Sequence, residues 1–303
     1  METTECKLSV KESSLAFVLG FLFAQVSVLV VVLFIGVIAS PFVAFEKINN
    51  FFYNNAWGYL LSTIVLDLAL FGVYFYFNHK KENKIVSRPT AKKTLFCFLL
   101  TVATFFCLAP FINCYDTFLT KIGIELNEIS YELNAKSLFP SLLSFVILPP
   151  IFEELLFRGV IFKGLKPYGK AFSVFFSGLF FAIFHMAIDQ LIYQLLFGML
   201  LAIIMYKENN ILYTILMHAT NNLLAFLFTY FDVALMVNHW AFILLAILLF
   251  VAFVALIIFA LFKGNKTSKQ TSLGKNKIYF IACLAIMIIV WIVLILTSVF
   301  SKT

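Results

Sequence analysis

The sequence predicts an all-α fold, a polytopic transmembrane helix bundle of eight to nine helices around a polar intramembrane cavity. Three observations carry that expectation. Of 303 residues, 63% are hydrophobic and 12% charged, with a mean hydropathy of +1.01; soluble domains are roughly 45–50% apolar and about 25% charged. Nine apolar runs have about the length, 17–25 residues, that crosses a hydrocarbon core as helix. The cations between those runs alternate from sparse to dense along the chain, as the positive-inside bias requires.

In chain order the runs cover residues 15–39, 57–77, 95–112, 138–162, 172–188, 191–206, 211–230, 240–262 and 278–300. The first follows Lys7 and Lys11 as a secretory signal would, but its length of about 25 residues exceeds the 7–15 of a signal core, so it reads as a retained helix. The third and sixth are short, and the fifth and sixth nearly abut at Asp189, which leaves room for one re-entrant segment and a count of eight. The fourth contains Pro149-Pro150, which removes two backbone donors and predicts a broken helix just before Ile151. In the polar interval 113–137, an amphipathic stretch at 118–133 is expected to lie on the outer membrane surface.

With the N-terminus inside, 18 of the 22 Lys and Arg fall on the cytoplasmic side and 4 outside, which supports nine crossings and an external C-terminus. The net charge of +7 then reads as attraction to an anionic cytoplasmic leaflet of the bilayer, with no nucleic acid as partner. The basic loops 80–93 and 263–277 lack apolar periodicity and read as solvated connectors. Cys6, Cys97, Cys107, Cys114 and Cys283 show no C-x-x-C spacing, so neither a disulfide framework nor a thiolate metal site is indicated. Abundant Phe, Ile, Lys and Asn point to an A+T-rich bacterial genome, hence to a bacterial cell membrane. The chain divides into N-terminal helices and loops, 1–137, a helical core, 138–230, and C-terminal helices, 231–303.

The core concentrates the polar residues. A charged side chain at bilayer mid-depth costs about 2.5–3.5 kcal/mol, yet the fourth run holds Glu153, Glu154 and Arg158. Glu154 and Arg158, four residues apart, share a helix face as a natural ion pair. Glu153, about 100° around the helix, points elsewhere and is the candidate general base. A structural ion pair with a spare glutamate is the alternative. His185 follows Phe181 by one turn, a weak signal in a chain with 39 Phe. His218 and Asn222 are one turn apart with Asn221 beside them, and both side chains can donate to an oxygen. Interhelical hydrogen bonding, about 0.6 kcal/mol per contact, is the plainer reading. At about 1.5 Å per residue from the cytoplasmic ends, Glu153 lies roughly 14 Å deep, His185 roughly 20 Å and His218 roughly 11 Å, compatible with one cavity opening toward the cytoplasm.

Other polar residues are expected in lesser roles. Asp67 reads as an interior hydrogen-bond acceptor, Gln25 and Gln194 as contacts between helices, and His79 and His239 as loop residues. Asp189 sits in the tight link between the fifth and sixth runs, where lining a substrate entrance is one reading and not one the sequence favours.

Glu153-Glu154-x-x-x-Arg158, Phe181-x-x-x-His185 and His218-x-x-x-Asn222, on three runs in that order, resemble the three motifs of the CPBP (Abi) family. That family includes the CAAX prenyl proteases and bacteriocin-processing enzymes. The resemblance spans residues 153–222. It implies an intramembrane endopeptidase acting on a membrane-associated or lipidated peptide or protein, of CAAX, leader or bacteriocin type. In it Glu153, assisted by His185, activates water, His218 and Asn222 stabilise the oxyanion, and Glu154 with Arg158 holds the site in shape. The family has been described both as glutamate-dependent and as metal-dependent. No cofactor is favoured; if zinc is present, its ligands are Glu153, His185 and His218. A second reading is a non-proteolytic membrane immunity or adaptor protein that binds a bacteriocin, transporter or sensor kinase. A third is a proton-coupled transporter using Glu153, Asp67 and the histidines, for which no inverted repeat speaks.

The charge pattern gives a topology test. In a cysteine-free background, Lys84→Cys should react with an impermeant maleimide only from the cytoplasmic face, and Lys47→Cys only from outside. The reverse labelling pattern contradicts the predicted orientation.

Overall fold

The computed structural model describes residues 8–79, 85–124, 126, 129–233, 240–263, 272–274 and 276–300; Cys6 and His239 lie outside them. Among the described residues the chain is helical, without strands. Helix α1 (Val10–Ala39) opens with a capping box, in which the Ser9 amide donates to Glu12 at 2.7 Å and the Glu12 amide to the Ser9 hydroxyl at 3.3 Å. The short α2 (Phe45–Asn54) is amphipathic and turns Ile48 and Phe52 against Val32. Helix α3 (Ala56–Asn78) is capped by Asn55, whose side chain accepts from the Trp57 amide. Helix α4 (Ala91–Lys121) carries Pro110 without ending there.

The next rod, residues 138–165, is composite. It runs through α5 (Leu138–Ser141), a π-helical segment (Leu142–Ile147), α6 (Leu148–Leu156), a second π segment (Phe157–Ile161) and α7 (Phe162–Leu165). A 3₁₀ turn (Lys166–Tyr168) leads to α8 (Lys170–Phe184), then α9 (Leu191–Glu208), α10 (Ile211–Tyr230), α11 (Trp240–Phe262) and α12 (Asn276–Phe300). Seven of these, α1, α3, α4, α9, α10, α11 and α12, are long and apolar enough to cross a membrane. The composite rod and the 15-residue α8, a shorter apolar helix, occupy the fourth and fifth of the apolar runs. Half of the most apolar stretch of α9 is buried inside the bundle and 44% of that of α10, against 17% for α11 and 11% for α12. The last two helices therefore present most of their surface to lipid.

Loops expected on one side of the membrane meet at one end of the bundle. Lys93 pairs with Glu208, the Asn210 amide group donates to the Ser87 carbonyl, Lys170 donates to the Ala260 and Lys263 carbonyls, and Lys11 sits over the Tyr279 ring. At the other end the Ser130 hydroxyl donates to the Tyr53 carbonyl, and Tyr115 holds the loop after α8 through the Ile188 carbonyl.

Four expectations change. The helix does not break at Pro149-Pro150: both prolines sit in the first turn of α6, where their fixed φ is tolerated, and the preceding turns widen to π pitch, with the Leu148 amide reaching the Leu143 carbonyl. The stretch 118–133 is not a surface helix. Its first residues continue α4, the described residues from Ile122 to Leu133 form turns and coil, and the amphipathic helix is α2 instead. Gln25 is exposed on α1, and Gln194 bonds within its own helix to Gln190, so neither joins helices. The fifth run ends as helix at Phe184, which leaves His185 at the C-cap.

Two apolar clusters flank the composite rod and α8. One gathers Phe17, Phe21, Leu70, Phe157, Phe180 and Phe181; the other gathers Leu108, Phe197, Leu201, Met217 and Phe253. Helices α8 and α9 pack backbone to backbone through Gly178 and Gly198. A Cβ on Gly178 would lie 2.8 Å from the Leu195 carbonyl and 2.9 Å from the Met199 nitrogen, atoms that move only with the helix.

Gly178→Ala should accordingly cost about 1–3 kcal/mol, read as a lower unfolding midpoint in detergent. Gly72→Ala, with nothing within 4 Å of the new methyl group, should be neutral or stabilising by up to ~1 kcal/mol. Equal effects would contradict the close α8–α9 packing.

Candidate active site

The acidic pair closes α6, and Arg158 lies one turn on, inside the second π segment. The amide of Phe157 reaches both the Glu153 and Glu154 carbonyls, where the backbone passes from α to π pitch. Such single-turn π segments often accompany functional sites. Glu154 and Arg158 are fully buried, with 0% of either side chain exposed, and Arg158 Nε stands 3.1 Å from Glu154 Oε2. The contact is an ion pair whose angle falls short of a hydrogen bond, so Oε2 and Nε find no hydrogen-bond partner within the protein. Arg158 Nη2 instead donates to the Gly198 carbonyl on α9 at 3.3 Å. A Cβ at Gly198 would press on Phe181 and on the Gly178 backbone at 3.1 Å, so the missing side chain lets that carbonyl come within reach.

The other oxygen of Glu154, Oε1, lies 3.2 Å from His218 Nδ1 on α10. A carboxylate beside an arginine accepts, so Nδ1 of His218 carries the proton. Across the ring, His218 Nε2 is 3.9 Å from Glu153 Oε2, and His185 Nε2 is 3.9 Å from the same oxygen. His185 is oriented in turn by its Nδ1, which donates to the Phe181 carbonyl at 2.8 Å. A carbonyl cannot donate, so the neutral ring exposes the lone pair of Nε2. The geometry thus joins Glu153, Glu154, Arg158, His185 and His218 in one polar chain across the composite rod, α8, α9 and α10.

Exposure divides this chain. Glu153 and His185 retain 10% and 17% of their side-chain surface, while Glu154 and Arg158 retain none. The less buried side is that of Glu153 and His185. Glu153 Oε2 itself finds no hydrogen-bond partner within the protein.

The sixth expected residue, Asn222, lies one turn beyond His218, and its Nδ2 donates to the Phe145 carbonyl at 2.8 Å. That bond leaves one of its two amide hydrogens. Asn221 accepts from the Tyr193 hydroxyl. Asp67 does face the interior, at 1% exposure, and lies within electrostatic reach of Glu153. Neither of its oxygens has a hydrogen-bond partner within the protein, so the expected acceptor role is not realised. Asp189 is buried in the loop after α8, near Tyr115 and Asp116 of α4. Cys97, Cys107, Cys114 and Cys283 are free thiols.

Sequence reading undervalued Phe181 and missed Gly198. The Phe181 ring is the hub of the site: it meets His185 edge-on at 4.7 Å and His218 at 5.4 Å, and the Arg158 guanidinium lies 4.9 Å from its centroid. Charge over the ring face is favourable. The ring therefore spaces both imidazoles and supports the buried cation.

The donor set can be tested against zinc. Ligands at 2.0–2.1 Å in a tetrahedron stand about 3.4 Å apart, and Oε2 of Glu153 stands 3.9 Å from each imidazole nitrogen. Among the described residues no group of three His, Cys, Asp or Glu has metal-holding geometry. A water with hydrogen bonds of about 2.8 Å spans the observed separation at close to a right angle. The arrangement suits a bound water better than a tetrahedral ion.

Residues 135–224 match the family described as type II CAAX prenyl endopeptidase, Rce1-like. No curated protein and no solved structure matches the chain. The matched stretch contains the whole polar chain described above.

Arg158→Met should be strongly destabilising, by about 3–5 kcal/mol, because it strands a buried carboxylate. Adding Glu154→Gln should restore much of the loss, measured as membrane abundance and unfolding midpoint. A double variant no better than the single one would contradict the ion pair.

Proposed function

We propose that this chain, whose core segment belongs to the CAAX-protease (CPBP) family, is an intramembrane endopeptidase that cleaves a membrane-associated or lipidated peptide with a water activated by Glu153. The observation that carries the proposal is the convergence of Glu153 Oε2 with two imidazole nitrogens, each 3.9 Å away. A carboxylate and two lone-pair-bearing nitrogens are all acceptors, and a water placed among them donates its two hydrogens to two of the three. Glu153 removes one proton from that water while His185 Nε2 accepts a hydrogen bond from the other. The oxygen so freed attacks the peptide carbonyl.

The tetrahedral oxyanion then needs donors in a low-dielectric setting. The second amide hydrogen of Asn222 supplies one, while His218, its Nδ1–H held on Glu154, keeps the lone pair of Nε2 turned toward Glu153 and accepts from its carboxyl once that is protonated. The protonated Glu153 delivers its proton to the leaving amine as the carbon–nitrogen bond breaks, which returns the base to its starting state. Glu154 and Arg158, sealed from solvent, take no part in proton transfer. They hold His218 in one tautomer and fix the height of Glu153 on α6. No step in this sequence runs through a metal.

The basic end of the bundle lies on the cytoplasmic side in this reading, so substrates reach the site from a leaflet that also attracts the clustered lysines. In the bacterial setting suggested by composition, a leader peptide, pheromone or bacteriocin precursor suits the site better than a prenylated CAAX peptide.

Glu153→Gln is expected to lower cleavage of a membrane peptide by at least about 10² while abundance and unfolding midpoint stay unchanged, as judged by comparing the membrane peptidomes of wild-type and variant cells. Chelators should leave the purified enzyme's turnover intact. Undiminished biological output in Glu153→Gln cells would favour the adaptor reading, and stoichiometric zinc lost together with activity would overturn the metal-free one.

A further inference from the structure

Prolines at 149 and 150 remove two amide hydrogens from the start of α6. In an α-helix the donor for the Phe145 carbonyl is the amide of residue 149, and at π pitch it is that of residue 150. Both are absent, so this carbonyl has no donor within its own helix at either pitch. In a bilayer such an orphan needs a partner from a neighbouring element. Asn222 supplies it from α10, with Nδ2 2.8 Å from the Phe145 oxygen.

A carboxamide does this only if its nitrogen faces the carbonyl. The side chain of Asn221 points its own Nδ2 at Asn222 Oδ1, 3.4 Å away, and the Tyr193 hydroxyl of α9 donates to Asn221 Oδ1. Each link sets the orientation of the next: a hydroxyl that donates to Oδ1 of Asn221 turns its nitrogen toward Asn222, and an amide approached at Oδ1 turns its nitrogen toward Phe145. Asn221 is 5% exposed. The chain ends eight residues before Glu153 on the same rod.

We propose that Tyr193, Asn221 and Asn222 form a tether that gives the Phe145 carbonyl the donor missing because of Pro149-Pro150 and thereby sets the position of Glu153, with Tyr193 and Asn221 as positioning residues. The proposal rests on Glu153 being the base, but its first test does not. Asn222 then acts chiefly through the Phe145 carbonyl and only secondarily on substrate.

The deciding experiment is a rescue. Asn222→Ala should lower the unfolding midpoint in detergent by roughly 2–4 °C, and Pro149→Ala, which returns the i+4 amide that donates to the Phe145 carbonyl, should recover most of that shift in the double variant. A double variant as unstable as Asn222→Ala, or an Asn222→Ala midpoint equal to wild type, overturns the tether. Tyr193→Phe keeps shape and removes the far link. In the full-length enzyme with a cleaved peptide it should lower kcat roughly tenfold with KM unchanged, and Pro149→Ala should again relieve the loss. If Tyr193→Phe changes KM alone, or leaves both constants unchanged, its positioning role fails. If the thermal rescue succeeds while Glu153→Gln retains full turnover, the tether stands and the assignment of the base falls.

Discussion

The polar centre of this bundle depends on one carboxylate, that of Glu154, held between a cation and an imidazole with no exposure of its own. A buried charge is tolerated only when paired and hydrogen-bonded. Here Arg158 compensates one oxygen at 3.1 Å and His218 the other at 3.2 Å. The same two contacts tie the composite rod to α10, and Arg158 extends the connection to α9 through the Gly198 carbonyl. Because Glu154 can only accept, it also decides which nitrogen of His218 bears the permanent proton, and so which nitrogen faces Glu153. Helix packing and ring tautomer follow from the same interaction.

Adjacent glutamates on one helix thus do different work because their surroundings differ. Glu154 faces the interior and is neutralised by Arg158. Glu153, one position earlier, faces the two Nε2 atoms without a protein donor, on the side where 17% of the His185 side chain remains exposed. The Phe181 ring keeps the two halves apart, edge-on to both imidazoles and face-on to the guanidinium. An aromatic residue there packs against the ion pair on one side and both imidazoles on the other. In the proposed hydrolysis, that separation would give a fixed electrostatic frame beside the base.

The parts of this arrangement legible in sequence are those set by local spacing. Glu154 and Arg158 at i and i+4, and His218 and Asn222 at the same interval, fall on shared helix faces wherever the helices sit. The partner of each residue was not legible, because whether His218 meets Glu153, Glu154 or both depends on packing angles that no local pattern encodes. Pro149-Pro150 reads as a break for the same reason. Local rules register the lost donors, while the compensating Asn222 lies 77 positions beyond Phe145. Phe181 was hidden by the abundance of its own kind, and Gly198 by the absence of any polar side chain. The stretch 118–133 differs from its expectation because α4 runs on past the apolar run to Lys121, so the first residues of the stretch prolong a spanning helix.

The most direct test is an experimental map of the protein in a lipid nanodisc at a resolution that shows side chains and ordered solvent. The expected result is a Glu153 carboxylate near 3.9 Å from both Nε2 atoms, with one solvent peak about 2.8 Å from Glu153 Oε2 and His185 Nε2. A Glu153 turned to the acyl chains, or remote from either imidazole, would contradict the hydrolytic site.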